Sequence, residues 1–254
     1  MLARPGFALG PRVLVVIPAR LGAQRLPNKP IRLLAGKPLI AHVVANAVAS
    51  GVSDRVVVAT DAAEVAEAVD GAKCEVVMTG AQHPSGTSRV AEVAGRMEYA
   101  AYDIVVNVQG DEPFLPHAAI VGSVEQVVAG FDVGTAAVPV DEDAVSAPSL
   151  VKVAVGEGGR ALYFSRSPIP FNRSGTPMRY WQHLGVYAYT PSVLARWREL
   201  PRSPLEDAEK LEQLTPLAHG LSFGVALLGE RAMPGIDTEE DLERAEAYLG
   251  ARGP

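Results

Sequence analysis

The regular pattern of the chain begins at Val13–Ile17, a short continuous run rich in β-branched residues and followed by Pro18. A second such run occupies Arg55–Thr60, and between the two Leu39, Ile40, Val43, Val44, Ala47 and Val48 recur at helical spacing. Short apolar runs predict buried strands, and apolar positions three or four apart predict one face of a helix, so this stretch reads strand, helix, strand. The alternation continues with Glu75–Met78, a helix over about Ser88–Tyr99, the apolar run Ile104–Val108 and a helix over about Pro116–Ala129. Strands that alternate with helices predict a parallel sheet covered on both faces. After Gly134–Pro139 the rhythm changes: Val151–Val155, Ala161–Ser165 and His183–Tyr189 follow one another with no long helix between them, which predicts antiparallel strands added to the same sheet. Helical patterns return at Ser192–Glu199, over Leu205–His219 and from Thr238 onward, with a strand at Ser222–Leu228. The expected architecture is one α/β domain with an inserted hairpin-like subregion.

Composition narrows the classes open to such a chain. With 254 residues, 48% of them apolar, it can bury a core without cross-links. The 23 Lys and Arg against 29 Asp and Glu give a net charge of −6, which argues against a nucleic-acid polymer as partner while leaving room for a local cationic pocket. Cys74 is the single cysteine; it excludes an internal disulfide and a multi-cysteine metal site, fits a reducing compartment, and is expected as a small buried apolar residue. No run approaches the roughly 18 apolar residues of a membrane span. Residues 1–12, broken by Pro5, Gly6, Gly10 and Pro11, lack a signal-peptide core. They are read as a flexible N-terminal extension ahead of a domain over 13–250 in a soluble, cytoplasmic protein with no membrane partner.

In an open α/β sheet, ligands collect beyond the carboxyl ends of the strands. The segment Pro18–Pro30 there carries Arg20, Arg25 and Lys29 among prolines and Gly22. It is either a solvated cationic loop or a seat for a polyphosphate, whose oxygens backbone N–H groups and fixed cations can surround. No Gly-Lys-Ser/Thr closes it, so it is not a P-loop. The second segment, Asn107–Pro113, brings Asp111, which reads as a turn residue or as a carboxylate for Mg²⁺, an ion that takes only one or two protein carboxylates. In the third, Gly235–Glu240, Asp237 reads as a helix N-cap with Glu240 at the capping-box position, and its second oxygen is available to a metal. Gly156–Ala161 superficially matches a dinucleotide fingerprint, but strand-like residues follow it, so a hairpin turn is expected. Neither Gly-x-Ser-x-Gly nor His-Glu-x-x-His occurs, and His42, His83, His117, His183 and His219 show no metal-ligand spacing.

The cationic first loop, His83–Arg89 (His-Pro-Ser-Gly-Thr-Ser-Arg), Asn107–Pro113, Ala161–Arg166 (Ala-Leu-Tyr-Phe-Ser-Arg), His183–Tyr189, Ser203–Gln213 and Gly235–Leu242 together resemble the 3-deoxy-D-manno-octulosonate (Kdo) cytidylyltransferase family. The resemblance runs in the family's order from about Val13 to Leu249. It implies a single-domain, glycosyltransferase-A-like nucleotidyltransferase fold: a mixed, mainly parallel sheet with an antiparallel subregion for sugar binding and dimerisation. The implied reaction joins CTP and Kdo into CMP-Kdo and pyrophosphate for lipopolysaccharide assembly, in a homodimer that uses Mg²⁺.

By position, Arg20, Arg25 and Lys29 would hold the triphosphate, with Lys29 countering charge on the reacting phosphate. Ser85, Thr87, Arg89 and the backbone near Ala19 would contact the nucleotide, and Gln109 would lie between nucleotide and sugar. Asp111 and Asp237 stand where the family holds Mg²⁺, and with Arg20 and Lys29 they form the expected catalytic set. Arg166, His183, Tyr187, Glu212 and Gln213 fall where the family binds the acid sugar. Ser88, Asn172 and Gln182 depart from the family's usual residues. The rival readings are a cytidylyltransferase for another acid sugar such as sialic acid, against which Phe164-Ser165-Arg166 and His183 speak, and a non-catalytic nucleotide-binding protein, against which Lys29, Asp111 and Asp237 together speak.

Overall fold

A computed structural model describes residues 10–22, 25–141 and 143–252. The expected extension over 1–12 therefore falls, for residues 1–9, outside the described residues. The chain forms strand β1 (Val13–Ala19), a small hairpin of β2 (Leu33–Leu34) and β3 (Lys37–Pro38), helix α1 (Leu39–Ala49), β4 (Arg55–Thr60), α2 (Ala63–Ala68), β5 (Glu75–Met78), α3 (Gly86–Ala94) and β6 (Ile104–Asn107). There follow α4 (His117–Val128), β7 (Val133–Val140), β8 (Lys152–Val155), β9 (Ala161–Ser165), β10 (Tyr180–Tyr189), α5 (Pro191–Glu199), α6 (Pro204–Glu209), α7 (Leu214–Ala218), β11 (Phe223–Leu227) and α8 (Glu239–Arg252). Two compact units result, Arg12–His117 joined by the segment from Met233, and Ala118–Ala232. Among the described residues no helix is long and apolar enough to cross a membrane.

In the first unit β1 pairs in parallel with β4 and with β6, and β4 in parallel with β5. Val13 to Ile17 are all buried, as a strand covered on both faces requires. Helix α1 buries Leu39, Ile40, Val43, Val44 and Ala47, the stripe that its sequence spacing predicts. The expected helix over Ser88–Tyr99 starts earlier, at Gly86, and stops at Ala94, with a 3₁₀ turn at Met97–Tyr99 after it. Helix α2 and the β2–β3 hairpin are too short to leave a periodic signal. Cys74 is half-buried rather than buried, and partial burial raises its thiol above the ordinary value. Helix α8 returns to this unit: Leu242 and Ala245, with Ile236 ahead of them, share a buried cluster with Leu26, Leu34 and Leu39. Polar ties at its rim repeat the contact, Arg32 meeting Glu239 through two hydrogen bonds at 2.6 and 2.8 Å and Ala35 N–H donating to Glu246 Oε1 at 2.7 Å.

In the second unit β7 lies between β11, parallel to it, and β10, antiparallel; β8 pairs antiparallel with both β10 and β9. Apart from the small β2–β3 hairpin, the strand pairings are thus mixed and mainly parallel, with the antiparallel ones in the region where the sequence changes rhythm. The turn between β8 and β9 closes through Gly156 N–H to Arg160 O at 2.8 Å, so Gly156–Ala161 is a hairpin turn and not a dinucleotide loop. The helical pattern over Leu205–His219 is split, because Lys210 adopts φ 55° and ends α6. Helix α4 approaches β7 so closely that a Cβ on Gly134 would stand 1.8 Å from Ser123 O.

The core of this unit is aromatic, with Phe164, Phe223, Trp197, Tyr187 and Tyr189 packed largely edge to face. His183 lies within it, its ring 4.9 Å from that of Phe164. Thr135 Oγ1 donates to Val186 O at 2.7 Å and therefore accepts from His183 Nε2–H, 2.9 Å away, which fixes the neutral tautomer. Burial drives the pKa of His183 down to about 3.

Gly134→Ala is expected to lower unfolding stability by about 3 kcal/mol in urea titration, because backbone and not a flexible side chain meets the new methyl. Gly229→Ala, with open space around it, should stay within about 0.5 kcal/mol of the parent. The unfolded chain protonates His183 near pH 6.5 and the folded one only near 3, so acidification between these values favours unfolding. At pH 4.5 this linkage should cost roughly 2 to 3 kcal/mol relative to pH 7.5, and His183→Gln should flatten that part of the stability profile. An unchanged acid slope in the variant would refute the burial argument.

Candidate active site

Two strand ends and one returning segment bring together the charged side chains of the first unit. The loop after β1 delivers Lys29, the loop after β6 delivers Asp111, and the segment entering α8 delivers Asp237. Lys29 Nζ donates to Asp111 Oδ2 at 2.6 Å and to Asp237 Oδ1 at 2.8 Å, so one ammonium is shared by two carboxylates more than 120 residues apart in sequence. A backbone bond from Ile236 N–H to Asp111 O, 2.9 Å, locks the two acidic segments together. Arg25 reaches the other oxygen of Asp237 at 2.8 Å. The Lys29 side chain is 15% exposed against 68% for Arg25, so solvent weakens the Arg25 pair far more than the lysine pairs. Burial alone would lower the pKa of Lys29; its contacts with Asp111 and then Asp237 outweigh that and hold it above the ordinary lysine value.

The cap at the start of α8 differs from the expectation. Thr238 Oγ1 accepts from Asp241 N–H at 3.2 Å, while Asp241 Oδ2 accepts from Thr238 N–H and from Asp237 N–H, both at 2.9 Å. The reciprocal capping pair is thus Thr238 with Asp241, one residue later than Asp237 with Glu240. The shift leaves the Asp237 carboxylate facing cations.

Beside Lys29 and Asp111 opens a cavity of about 240 Å³. Pro18, Ala19 and Arg20 line it from the end of β1, His83, Ser85, Gly86 and Arg89 from the start of α3, and Gln109 and Gly110 from the loop after β6. Ser85 caps α3, accepting from Ser88 N–H at 3.2 Å while Ser88 Oγ accepts from Ser85 N–H at 3.3 Å. Ser88 therefore performs, as a hydroxyl, the return bond that an acid makes in the usual capping box. Arg89 is buried, pairing with Asp61 at 3.0 Å and donating to Thr79 Oγ1 at 2.6 Å. Thr87 is buried as well, its hydroxyl accepting from Asn107 Nδ2 at 3.4 Å. Gln109 Nε2 lies 3.5 Å from Asn107 Oδ1.

The expected sugar residues lie in the second unit. His183 and Tyr187 share the aromatic cluster, with ring centroids 5.5 Å apart. Arg166, half-buried, follows β9 and donates from Nε to Glu209 O and from a terminal nitrogen to Pro148 O, each at 2.8 Å. Half-buried Glu212 and buried Gln213 immediately precede α7.

Two charged side chains that tie loops together left no usable motif. Glu92 gathers the loop that carries His83, accepting from Gly80 N–H at 2.9 Å, His83 Nε2 at 2.6 Å and Arg96 at 2.9 Å. Burial opposes its charge, but these bonds win and lower its pKa to about 2. Its place two turns after the Ser85 cap, on the polar side of α3, is the signal that could have marked it. Lys152, a charge heading an otherwise apolar strand, is another.

Known proteins give an independent comparison. The pattern that defines the cytidylyltransferases matches residues 14–223. The 3-deoxy-manno-octulosonate cytidylyltransferase of Gemmatimonas aurantiaca is 52% identical over 242 residues, 93% of each chain. The protein of the same name from Methylococcus capsulatus is 45% identical, covering 94% of this chain and 98% of its own. A solved CMP:2-keto-3-deoxy-manno-octonic acid synthetase in complex with CTP has a TM-score of 0.89 at 37% identity, covering 95% of this chain and 99% of that one. A putative glucose-1-phosphate thymidylyltransferase from Bacillus anthracis, 18% identical with a TM-score of 0.65 over 95% and 96% of the two chains, shares the fold. Identity at this level across nearly all of the sequence makes the chain a member of the 3-deoxy-manno-octulosonate cytidylyltransferase family.

Proposed function

We propose that this protein transfers CMP from CTP to Kdo, releasing CMP-Kdo and pyrophosphate for lipopolysaccharide assembly. The observation that carries the reading is the convergence of Lys29, Asp111 and Asp237 on one point beside the cavity. Both substrates are anions, so their mutual repulsion must be offset before the sugar's C2 hydroxyl can approach the α-phosphorus, and fixed charge and positioning supply most of the acceleration. Arg20, Arg25 and Lys29 bind the triphosphate, and Lys29 counters the charge that builds on the reacting phosphate. Ser85, Thr87, Arg89 and the backbone at Ala19 hold the nucleoside part, with Gln109 between nucleotide and sugar. Arg166, His183, Tyr187, Glu212 and Gln213 bind the acid sugar; the neutral state of His183 suits it to hydrogen bonding rather than to charge pairing.

Asp111 and Asp237 fit Mg²⁺ by the chemistry of their donors: hard carboxylate oxygens already converging on one positive charge. Among the described residues no group of three or more His, Cys, Asp and Glu could hold a metal, which suits an ion completed by phosphate and water rather than a protein cage. When bound there, Mg²⁺ would supply positive charge to the α-phosphate and acidify the attacking hydroxyl. The same reading makes the protein a cytoplasmic homodimer joined through its antiparallel region, where Leu162 is 59% and Phe171 86% exposed.

Pyrophosphate release with CTP, Mg²⁺ and a panel of acid sugars tests the proposal. Kdo should be turned over at least roughly a hundredfold faster than sialic acid, and chelation of the metal should abolish the reaction. A CTP complex that yields no product with any acid sugar would leave only a binding protein. Lys29→Ala should lower kcat more than it raises the KM for CTP, because its charge matters most as the phosphorus reorganises; equal losses would contradict that role. Asp111→Asn should lose about 10²-fold in kcat or more, and near-normal Mg²⁺-dependent turnover would remove Asp111 from the site.

A further inference from the structure

Strand β8 is apolar after its first residue, yet that residue, Lys152, has no solvent exposure. A buried ammonium is tolerated only where its N–H groups find acceptors. Lys152 Nζ donates to Ala147 O at 3.0 Å, to Leu150 O at 2.6 Å and to Arg166 O. Three acceptors satisfy all three N–H groups of the charged form. They belong to two separate segments, the turn before β8 and the residue after β9, which the ladder brings together by pairing Lys152 with Ser165.

A second charge holds the same place. Glu209, the last residue of α6, accepts from Ser165 Oγ at 2.5 Å and from Arg166 N–H at 2.9 Å, while its own carbonyl takes the Arg166 Nε–H. Ser165 Oγ in turn accepts from Ser167 N–H at 3.0 Å. The backbone N–H, the carbonyl and the guanidinium of Arg166 are thereby all fixed to neighbouring segments, and Lys152 holds the carbonyl. A buried charge of this kind adds little stability over a well-packed apolar side chain. Its distinctive effect is geometric, and a binding side chain must be held within about 0.5 Å of its working position.

We infer that Lys152 is a positioning residue of the acid-sugar subsite: its buried ammonium, fixed on three backbone carbonyls, holds Arg166 where the guanidinium receives the sugar. This rests on the reading above that Arg166 binds the sugar. Steady-state kinetics on Arg166→Ala, Lys152→Gln, Ser165→Ala and Glu209→Gln, with melting temperatures for each, separate the two ideas. Lys152→Gln, Ser165→Ala and Glu209→Gln should each raise the KM for Kdo about tenfold while the KM for CTP stays within about twofold, and Arg166→Ala should raise the Kdo KM further. If Lys152→Gln fails to fold, Ser165→Ala and Glu209→Gln decide by the same measure. An Arg166→Ala enzyme with an unchanged Kdo KM would overturn the placement of the sugar, and the inference with it. A raised Kdo KM in Arg166→Ala alone, or a fall in melting temperature with both KM values moving together, would overturn the positioning role and leave the sugar subsite standing.

Discussion

Asp111 and Asp237 stand close enough to meet a single nitrogen atom, and two carboxylates at that separation repel unless positive charge lies between them. The ammonium of Lys29 is that charge, and much of the first unit serves to keep it there. The ladder of β1 between β4 and β6 puts two loop origins side by side, and the cluster of Leu26, Leu34 and Leu39 under α8 fixes the second acid, Asp237. The bond from Ile236 to the Asp111 carbonyl then leaves the acids little freedom to separate. An exposed arrangement of the same three charges would be weakened by solvent and salt; a mostly buried lysine makes the geometry persistent.

The chain uses buried lysine in two different ways. Lys29 meets carboxylates, whose charge matches its own, and is held above the ordinary lysine pKa. Lys152 meets only carbonyl dipoles; burial and the nearby Arg166 lower its pKa, against a smaller opposing pull from Glu209. The first is a charge that a phosphate can compete for. The second is bound entirely within the protein, and its contribution is to shape.

Much of this was legible in the sequence, and the failures have physical causes. The parallel strands were readable because a strand buried on both faces is a nearly unbroken apolar run, as Val13–Ile17 and Ile104–Val108 are. The site loops were readable because they follow those strands. The cap at α8 was misplaced by one residue because Asp237 and Thr238 are both good cap residues, and only the fold decides which faces the helix. The break between α6 and α7 escaped periodicity because it depends on one left-handed residue, Lys210, that is not glycine. Lys152 was silent because its partners are all backbone carbonyls, which leave no signature in residue type, and Glu92 because it ties together a loop whose path the sequence does not show.

Asp237 is the last of the three clustered charges along the chain, and the helix that seats it follows it. During synthesis Lys29 and Asp111 emerge from the ribosome first, with more than 120 residues still to come before the second acid. A nascent chain at that stage has two of the three charges and lacks the second carboxylate. The three charges can close on one another only after translation has passed α8, so the order of residues along the polypeptide ties the assembly of this loop cluster to a late-made segment.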